Sequence, residues 1–400
     1  MGFSAKNIKK DFPIFHNSDL IYLDNASTTQ KPQTVLDSIH SMYSETNANV
    51  HRALYTLGSL ATERFENARM KVSSFIGANS EKEIIFTSGT TESINLLAHT
   101  LSRNLKPGDE ILVSEMEHHS NLVPWQLAAN RTGATLSYIP ITEKGELDLS
   151  EPDLYFKPST KIVSISHVSN VLGTVNPIKK LSEMAHEMGA VFIADGAQCA
   201  PHQVVNVSDS GCDFYTFSGH KMLGPTGIGV LWGKLEILES MEPFMGGGEM
   251  IENVTMGSST WNEVPYKFEA GTPNFVQAVG LGTAIDYLNS IGMNEISEHE
   301  DKLTAYALNK LNKLDDLQIF GSPTDRTGVI SFNVKGIHPQ DLAQFLNEDN
   351  IAIRVGHHCA QPLLASLNET SIGRLSFYLY NDESDIDKFC DSVIKTKDYF

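Results

Sequence analysis

Lys221 follows a histidine in the run DFYTFSGHKMLGPTGIGVLW, residues 213–232. The run reads as a buried strand carrying Phe214, Tyr215 and Phe217, a polar turn of Ser218, Gly219, His220 and Lys221, a glycine-broken loop, and a second apolar strand. An ammonium held at a strand end, beside small hydrogen-bonding groups, can be desolvated enough to lose its proton and form a Schiff base. Taken alone, Lys221 also suits a surface turn. Its meaning depends on the residues that accompany it.

Three further stretches accompany it. EIIFTSGTTESINLLAHTL sets Ser88, Gly89, Thr90 and Thr91 between a strand and a helix. The free N–H groups of that helix start, its dipole and the threonine hydroxyls make a phosphate site. A Ser/Thr run ahead of Glu92 is equally an ordinary helix cap. Ser218 and His220, beside Lys221, can serve the same phosphate. AVFIADGAQ ends a strand on Asp195, with Gln198 three residues on. A carboxylate there can keep a heteroaromatic nitrogen protonated and the amide can donate to a ring oxygen; capping the next element is the competing role for Asp195. EMEHHSN offers His118 and His119, one of which can stack on an aromatic ring. No Cys/His/Asp cluster at ligand spacing supports a metal instead.

RVGHHCAQPLL, residues 354–364, places Cys359 after a strand and behind Gly356 and two histidines. Pro362 stops an immediate helix. A thiol in a histidine-rich loop near Arg354 is a nucleophile candidate. The other cysteines, Cys199, Cys212 and Cys390, are too scattered for a disulfide framework, and no CxxC pair occurs. Reduced thiols are expected.

These residues must be positioned by a regular frame. From about residue 60 to 235, β-branched runs (83–87, 110–115, 161–167, 190–195 and 227–232) alternate with stretches of helical spacing (92–101, 123–133 and 179–189). That alternation predicts an α/β fold with a mostly parallel central sheet, whose ligands gather at the carboxyl ends of the strands. Residues 246–274 are glycine-rich and weakly periodic, which suits a functional loop or an intersubunit arm. A helical run follows from Phe275 to about Leu314. A strand–helix–strand–strand set after it predicts a smaller C-terminal α/β domain. The expected division is 20–285 for the large domain and 286–400 for the small one, with residues 1–19 packing with the small domain.

The formal net charge is -19, with 41% hydrophobic and 20% charged residues. Such a field repels nucleic acid and anionic membrane surfaces. No apolar run approaches the ~18 residues of a membrane span, and the N-terminus lacks the apolar core of a signal peptide. A cytoplasmic protein acting on a small molecule is expected.

SGHK, DGAQ, the GTTE helix start and MEHH together resemble the fold-type I pyridoxal-phosphate enzymes of the aminotransferase class V group, from LDNAST (23–28) to the C-terminal strand. The resemblance implies pyridoxal 5'-phosphate joined to Lys221, with Thr90, Thr91, Ser218 and His220 on its phosphate. Asp195 would face the pyridinium nitrogen, Gln198 the ring hydroxyl, and His119 would stack on the ring. Asn170, in SHVSNVLGT, would lie near cofactor and substrate. Thr272, in FEAGTPN, would reach the phosphate of the neighbouring subunit, which makes the active unit a homodimer.

RxGHHCxxPL resembles the class II, SUF-type cysteine desulfurases. Arg374, in SIGRLSFYLYN, matches the arginine that grips the substrate carboxylate through a two-pronged ion pair, with Asn170 and Arg354 beside it. The implied reaction converts L-cysteine to L-alanine. Lys221 moves the α-proton, His119 assists proton movement, and Cys359 takes the sulfur as a persulfide. A SufE- or SufU-like acceptor would collect it for iron–sulfur cluster assembly, with His338 on the docking face. Selenocysteine lyase activity on L-selenocysteine is the nearest alternative. A class V aminotransferase or racemase, and a non-catalytic scaffold, stand further off.

Overall fold

β-Branched and aromatic runs form strands, and stretches of helical spacing form helices, in the computed structural model, which describes residues 3–52 and 54–399. The outermost ends of the expected 1–19 and 286–400 segments, at residues 1–2 and 400, lie outside the described residues.

A short strand β1 (Ile21–Tyr22) precedes the main sheet. That sheet is built from β2 (Ile84–Thr87), β3 (Glu110–Ser114), β4 (Thr135–Ile139), β5 (Thr160–Ser166), β6 (Val191–Asp195), β7 (Phe214–Ser218) and β8 (Gly229–Gly233), in the order β2-β8-β7-β6-β5-β3-β4. Only β8 is reversed, antiparallel to β2 and β7. The loop between β7 and β8 holds no crossover helix, and a direct return of this kind must pair antiparallel. Side chains alternate between two buried faces: Leu112 and Phe192 join one apolar cluster, while Ile111, Val113 and Ile193 join another. A sheet covered on both faces needs continuous apolar strands, and these strands supply them.

Several features depart from the expectations. β4 is an edge strand with two of its five side chains exposed and only one buried, so its sequence lacks the continuous apolar signature. Residues 246–274 contain an exposed hairpin, β9 (Ile251–Val254) and β10 (Ser259–Trp261). The expected helical run from Phe275 is two helices, Phe275–Ile291 and Met293–Leu311, separated at Gly292 with φ +99°. A right-handed helix cannot pass through that conformation.

The small sheet consists of β11 (Leu317–Phe320), β12 (Val329–Val334), β14 (Arg354–Gly356) and β15 (Ile372–Ser376), all antiparallel in the order β11-β12-β15-β14. Between them β13 (Ile351–Ala352) pairs in parallel with β1. Ile21 and Leu23 therefore enter the apolar cluster packed on the small sheet, with Ile330, Phe332 and Leu375. Phe12 and Phe15, from the segment expected to pack with the small domain, join the large cluster and also contact Tyr380. The N-terminal segment thus ties both parts together. Among the described residues, no helix is long and apolar enough to cross a membrane.

Candidate functional site

A cleft of about 210 Å³ opens at the carboxyl ends of β5, β6 and β7, between the main sheet and the loop after β14. Lys221, Asp195, Gln198, Asn170, Arg354, Arg374 and Cys359 all line it, together with Thr90, Thr91, Ser218 and His220. Residues scattered over nearly 300 positions of sequence meet here.

Lys221 closes a 3-10 turn, Gly219–Lys221, that follows β7. The turn is held from below by the N-terminal segment: Thr29 N–H, Thr28 Oγ1 and Lys31 Nζ donate to the His220 carbonyl at 3.0, 3.1 and 2.9 Å. Desolvation lowers the Lys221 ammonium to about 8, against the opposing pull of the Asp195 carboxylate. Asp195 ends β6 and is buried; burial raises its carboxyl, while the Ala197 N–H donates to Oδ1 at 3.0 Å. Register sets this pair, since Asp195 lies opposite Thr216, near the end of β7.

Thr90 begins a helix of twelve residues, Thr90–Leu101. Its N–H donates to Ser218 Oγ at 2.9 Å, and its hydroxyl lies 2.9 Å from the same oxygen. Gly89 takes the N-cap position without a side-chain cap bond, and Glu92 accepts from Ser88 N–H at 2.6 Å. β8 passes beneath at Gly229, where a Cβ would collide with the Gly89 backbone. Thr272 is exposed and lines a different cavity, with Ser88 and Glu92.

Of the histidine pair, His118 lines the cleft, and His119, expected to stack there, does not. The short turn after β3 sends the two side chains in different directions. His118 Nδ1 accepts from Ser120 N–H at 3.1 Å, and burial, with Lys221 and His119 adding, pushes its imidazole down to about 3. His119 points toward the Cys359 loop, where its Nε2 accepts from Gln361 N–H at 3.2 Å.

Arg374 is buried on β15. It donates through Nη1 to the Asn170 carbonyl (2.9 Å), and through Nη2 to Asp24 Oδ1 (3.0 Å) and Ser27 Oγ (2.8 Å). Ser27 also accepts from Arg354 Nη1 at 2.9 Å. The Asn170 side chain donates to the His358 carbonyl at 2.8 Å, linking the arginine to the cysteine loop. Cys359 is half-buried, whereas Cys199, Cys212 and Cys390 are buried, their thiols pushed up to about 12, 12 and 11 mainly by desolvation.

These residues fit the cofactor expected from the sequence. Gln198 Oε1 and Arg374 Nε are buried without a hydrogen-bond partner, an arrangement that a polar ligand would satisfy. The helix start at Thr90, the buried Asp195 and the desolvated Lys221 offer an anion site, a site for a protonated nitrogen and an amine. Asp24, Ser27 and Ser166 were not singled out from the sequence, and His118 was named there only as one of a pair. Asp24 and Ser27 lie in LDNAST, whose small polar residues after a short strand were the available signal.

The aminotransferase class-V family pattern matches residues 21–389. The chain is 51% identical to a probable cysteine desulfurase of Halalkalibacterium halodurans over 402 residues, covering 99% of each. Two solved structures cover 100% of both chains at 38% identity. One is the cysteine desulfurase CsdA (S-sulfonic acid) from Escherichia coli, with a TM-score of 0.94, and the other an apo cysteine desulfurase from Thermococcus onnurineus NA1, with a TM-score of 0.95.

Proposed function

The chain belongs to the aminotransferase class V family, among the cysteine desulfurases, and from that premise we propose how its cleft converts L-cysteine to L-alanine and a protein-bound sulfur. The observation that carries the reading is the convergence of Lys221, Asp195, Arg374 and Cys359 on one cleft. Lys221, Thr90, Thr91, Ser218, His220, Asp195 and Gln198 would hold pyridoxal phosphate, which would supply an electron sink when the substrate α-C–H bond breaks.

Arg374, with Arg354 and Asn170, binds the substrate carboxylate. The neutral amine of Lys221 takes the α-proton, a role that its lowered affinity for protons supports. Asp195 would keep a proton on the ring nitrogen, and His118, which lines the cleft where His119 does not, would take the stacking place. The Cys359 thiolate then attacks the substrate sulfur: an S–S bond forms, the substrate C–S bond breaks, and its electron pair leaves with the carbon that becomes alanine. Protonation at carbon completes the product, with the sulfur left as the Cys359 persulfide.

The same reading makes the protein a class II, SUF-type enzyme of the cytoplasm, working as a homodimer in which Thr272 serves the partner's cofactor site. A SufE- or SufU-like acceptor would collect the persulfide for iron–sulfur cluster assembly. His338, exposed where it caps the helix Pro339–Glu348, belongs to the small domain and is a contact candidate on that face. The selenocysteine lyase alternative is not retained, since the similar proteins are cysteine desulfurases.

The test is Cys359→Ser. Mixed with L-cysteine, this variant is expected to keep the cofactor's absorbance response and lose both persulfide and alanine formation. Full activity of the variant on L-cysteine defeats the assignment.

A further inference from the structure

Two consecutive residues at the cysteine loop, His358 and Cys359, have φ of +50° and +55°. Side-chain-bearing residues seldom adopt this conformation, and a pair of them persists only where surrounding contacts impose it. Some of those contacts come from the small domain and from within the loop. His358 Nε2 donates to the Ile372 carbonyl (3.0 Å), and Cys359 N–H donates to His357 Nδ1 (3.1 Å).

The remaining contacts come from the main domain. Asn170 holds the His358 carbonyl, as described. His119 grips the loop at two points just after the thiol-bearing carbon: its backbone N–H donates to the Cys359 carbonyl at 2.7 Å, and its ring Nε2 accepts from Gln361 N–H at 3.2 Å. Accepting requires an unprotonated Nε2. Burial and the neighbouring His357 disfavour protonation of this imidazole, in keeping with that geometry.

We propose that His119 is a positioning residue for the sulfur step, holding Cys359 in its left-handed turn at the cleft, while His118 beside it serves the cofactor. The histidine pair then couples the carbon chemistry to the sulfur chemistry through one peptide bond. The proposal rests on the reading of Cys359 as the residue that takes the sulfur.

The test uses the holoenzyme of the unaltered protein, His119→Ala and His119→Gln. Each is mixed with L-cysteine and quenched at intervals; intact mass reads sulfur on Cys359, and absorbance reads the cofactor's response. His119→Ala is expected to slow persulfide formation about tenfold, the scale of one lost hydrogen bond. Its absorbance response and KM should stay at the unaltered values. His119→Gln, whose amide oxygen can accept from Gln361 N–H, is expected to recover most of the rate. Persulfide formation at the unaltered rate in His119→Ala overturns the proposal. So does a lost absorbance response, which would make His119 a cofactor contact. Absence of persulfide from the unaltered protein is a separate failure: it defeats the reading of Cys359 and removes the proposal with it.

Discussion

Arg374 Nη2 lies 3.0 Å from Asp24 Oδ1, an ion pair between residues 350 positions apart. The arginine assigned to the substrate carboxylate thus already holds a carboxylate of its own chain. Ser27 completes the arrangement, donating to Asp24 at 2.6 Å while accepting from Arg354 and Arg374. The two guanidiniums meet at the Ser27 hydroxyl, but only Arg374 pairs with Asp24, which leaves the charge of Arg354 for a substrate carboxylate.

Asp24→Asn keeps an acceptor for Ser27 and removes the competing charge. KM for L-cysteine is expected to fall about threefold, the scale of a weakened charge-assisted contact. Steady-state kinetics check this. A raised KM would mean that Asp24 matters more for orienting Arg374 than for opposing the substrate.

Lys221 should impose a pH dependence on turnover. Its amine must be neutral to take a proton, and its pKa is lowered to about 8. The rate of α-proton removal is expected to climb as pH rises toward 8 and to level above it. Lys221→Ala should lose about 10³-fold in kcat, within the range for a general base. Rapid-mixing absorbance across pH 6–9.5 reads the profile, and a rate that falls through that range would contradict it.

Glu117 anchors the wall of the site. Buried next to His118, it accepts from Ser114 Oγ, Asn121 Nδ2, Ser166 N–H and Ser166 Oγ, and Ser166 lines the cleft. Desolvation raises its carboxyl to about 7 despite these bonds. Glu117→Ala would strand several buried donors and is expected to cost about 3 kcal/mol or more, read by urea unfolding.

His358 should make the fold sensitive to acid. Burial, then Arg374, pushes its imidazole down to about 3, from 6.5. Between those values the unfolded chain binds a proton that the folded chain refuses. The stabilisation is therefore full above pH 6.5 and is lost as pH falls toward 3. His358→Gln can keep a donor for the Ile372 carbonyl but does not titrate. Between pH 7 and 5 its loss of stability should be smaller than the parent's by about 2 kcal/mol, from ~1.4 kcal/mol per pH unit. Urea unfolding of the cofactor-free proteins measures the difference.

The strands that carry Asp195 and Lys221 were legible because buried parallel strands demand continuous apolar runs, and a polar residue at the end of one stands out. The same rule hid β4, whose edge position leaves only one of its five side chains buried. The histidine pair was legible as a pair but not in its orientation. Neighbours in sequence diverge at a turn according to backbone angles, and residue type alone does not report those angles.

The residue types and spacings by themselves determined the alternating α/β frame, the lysine at a strand end, the helix start at Thr90 and the one cysteine set in a histidine-rich loop. These are local properties, written in periodicity and in the chemistry of short runs. Only the tertiary structure decided that LDNAST crosses from the small-domain sheet to the Lys221 turn, bringing Asp24 against Arg374 and Thr29 under His220. It likewise decided which histidine meets the cleft and which grips Cys359. Contacts between distant segments depend on strand register and domain packing, and those are settled by burial over the whole chain rather than by any single run of it.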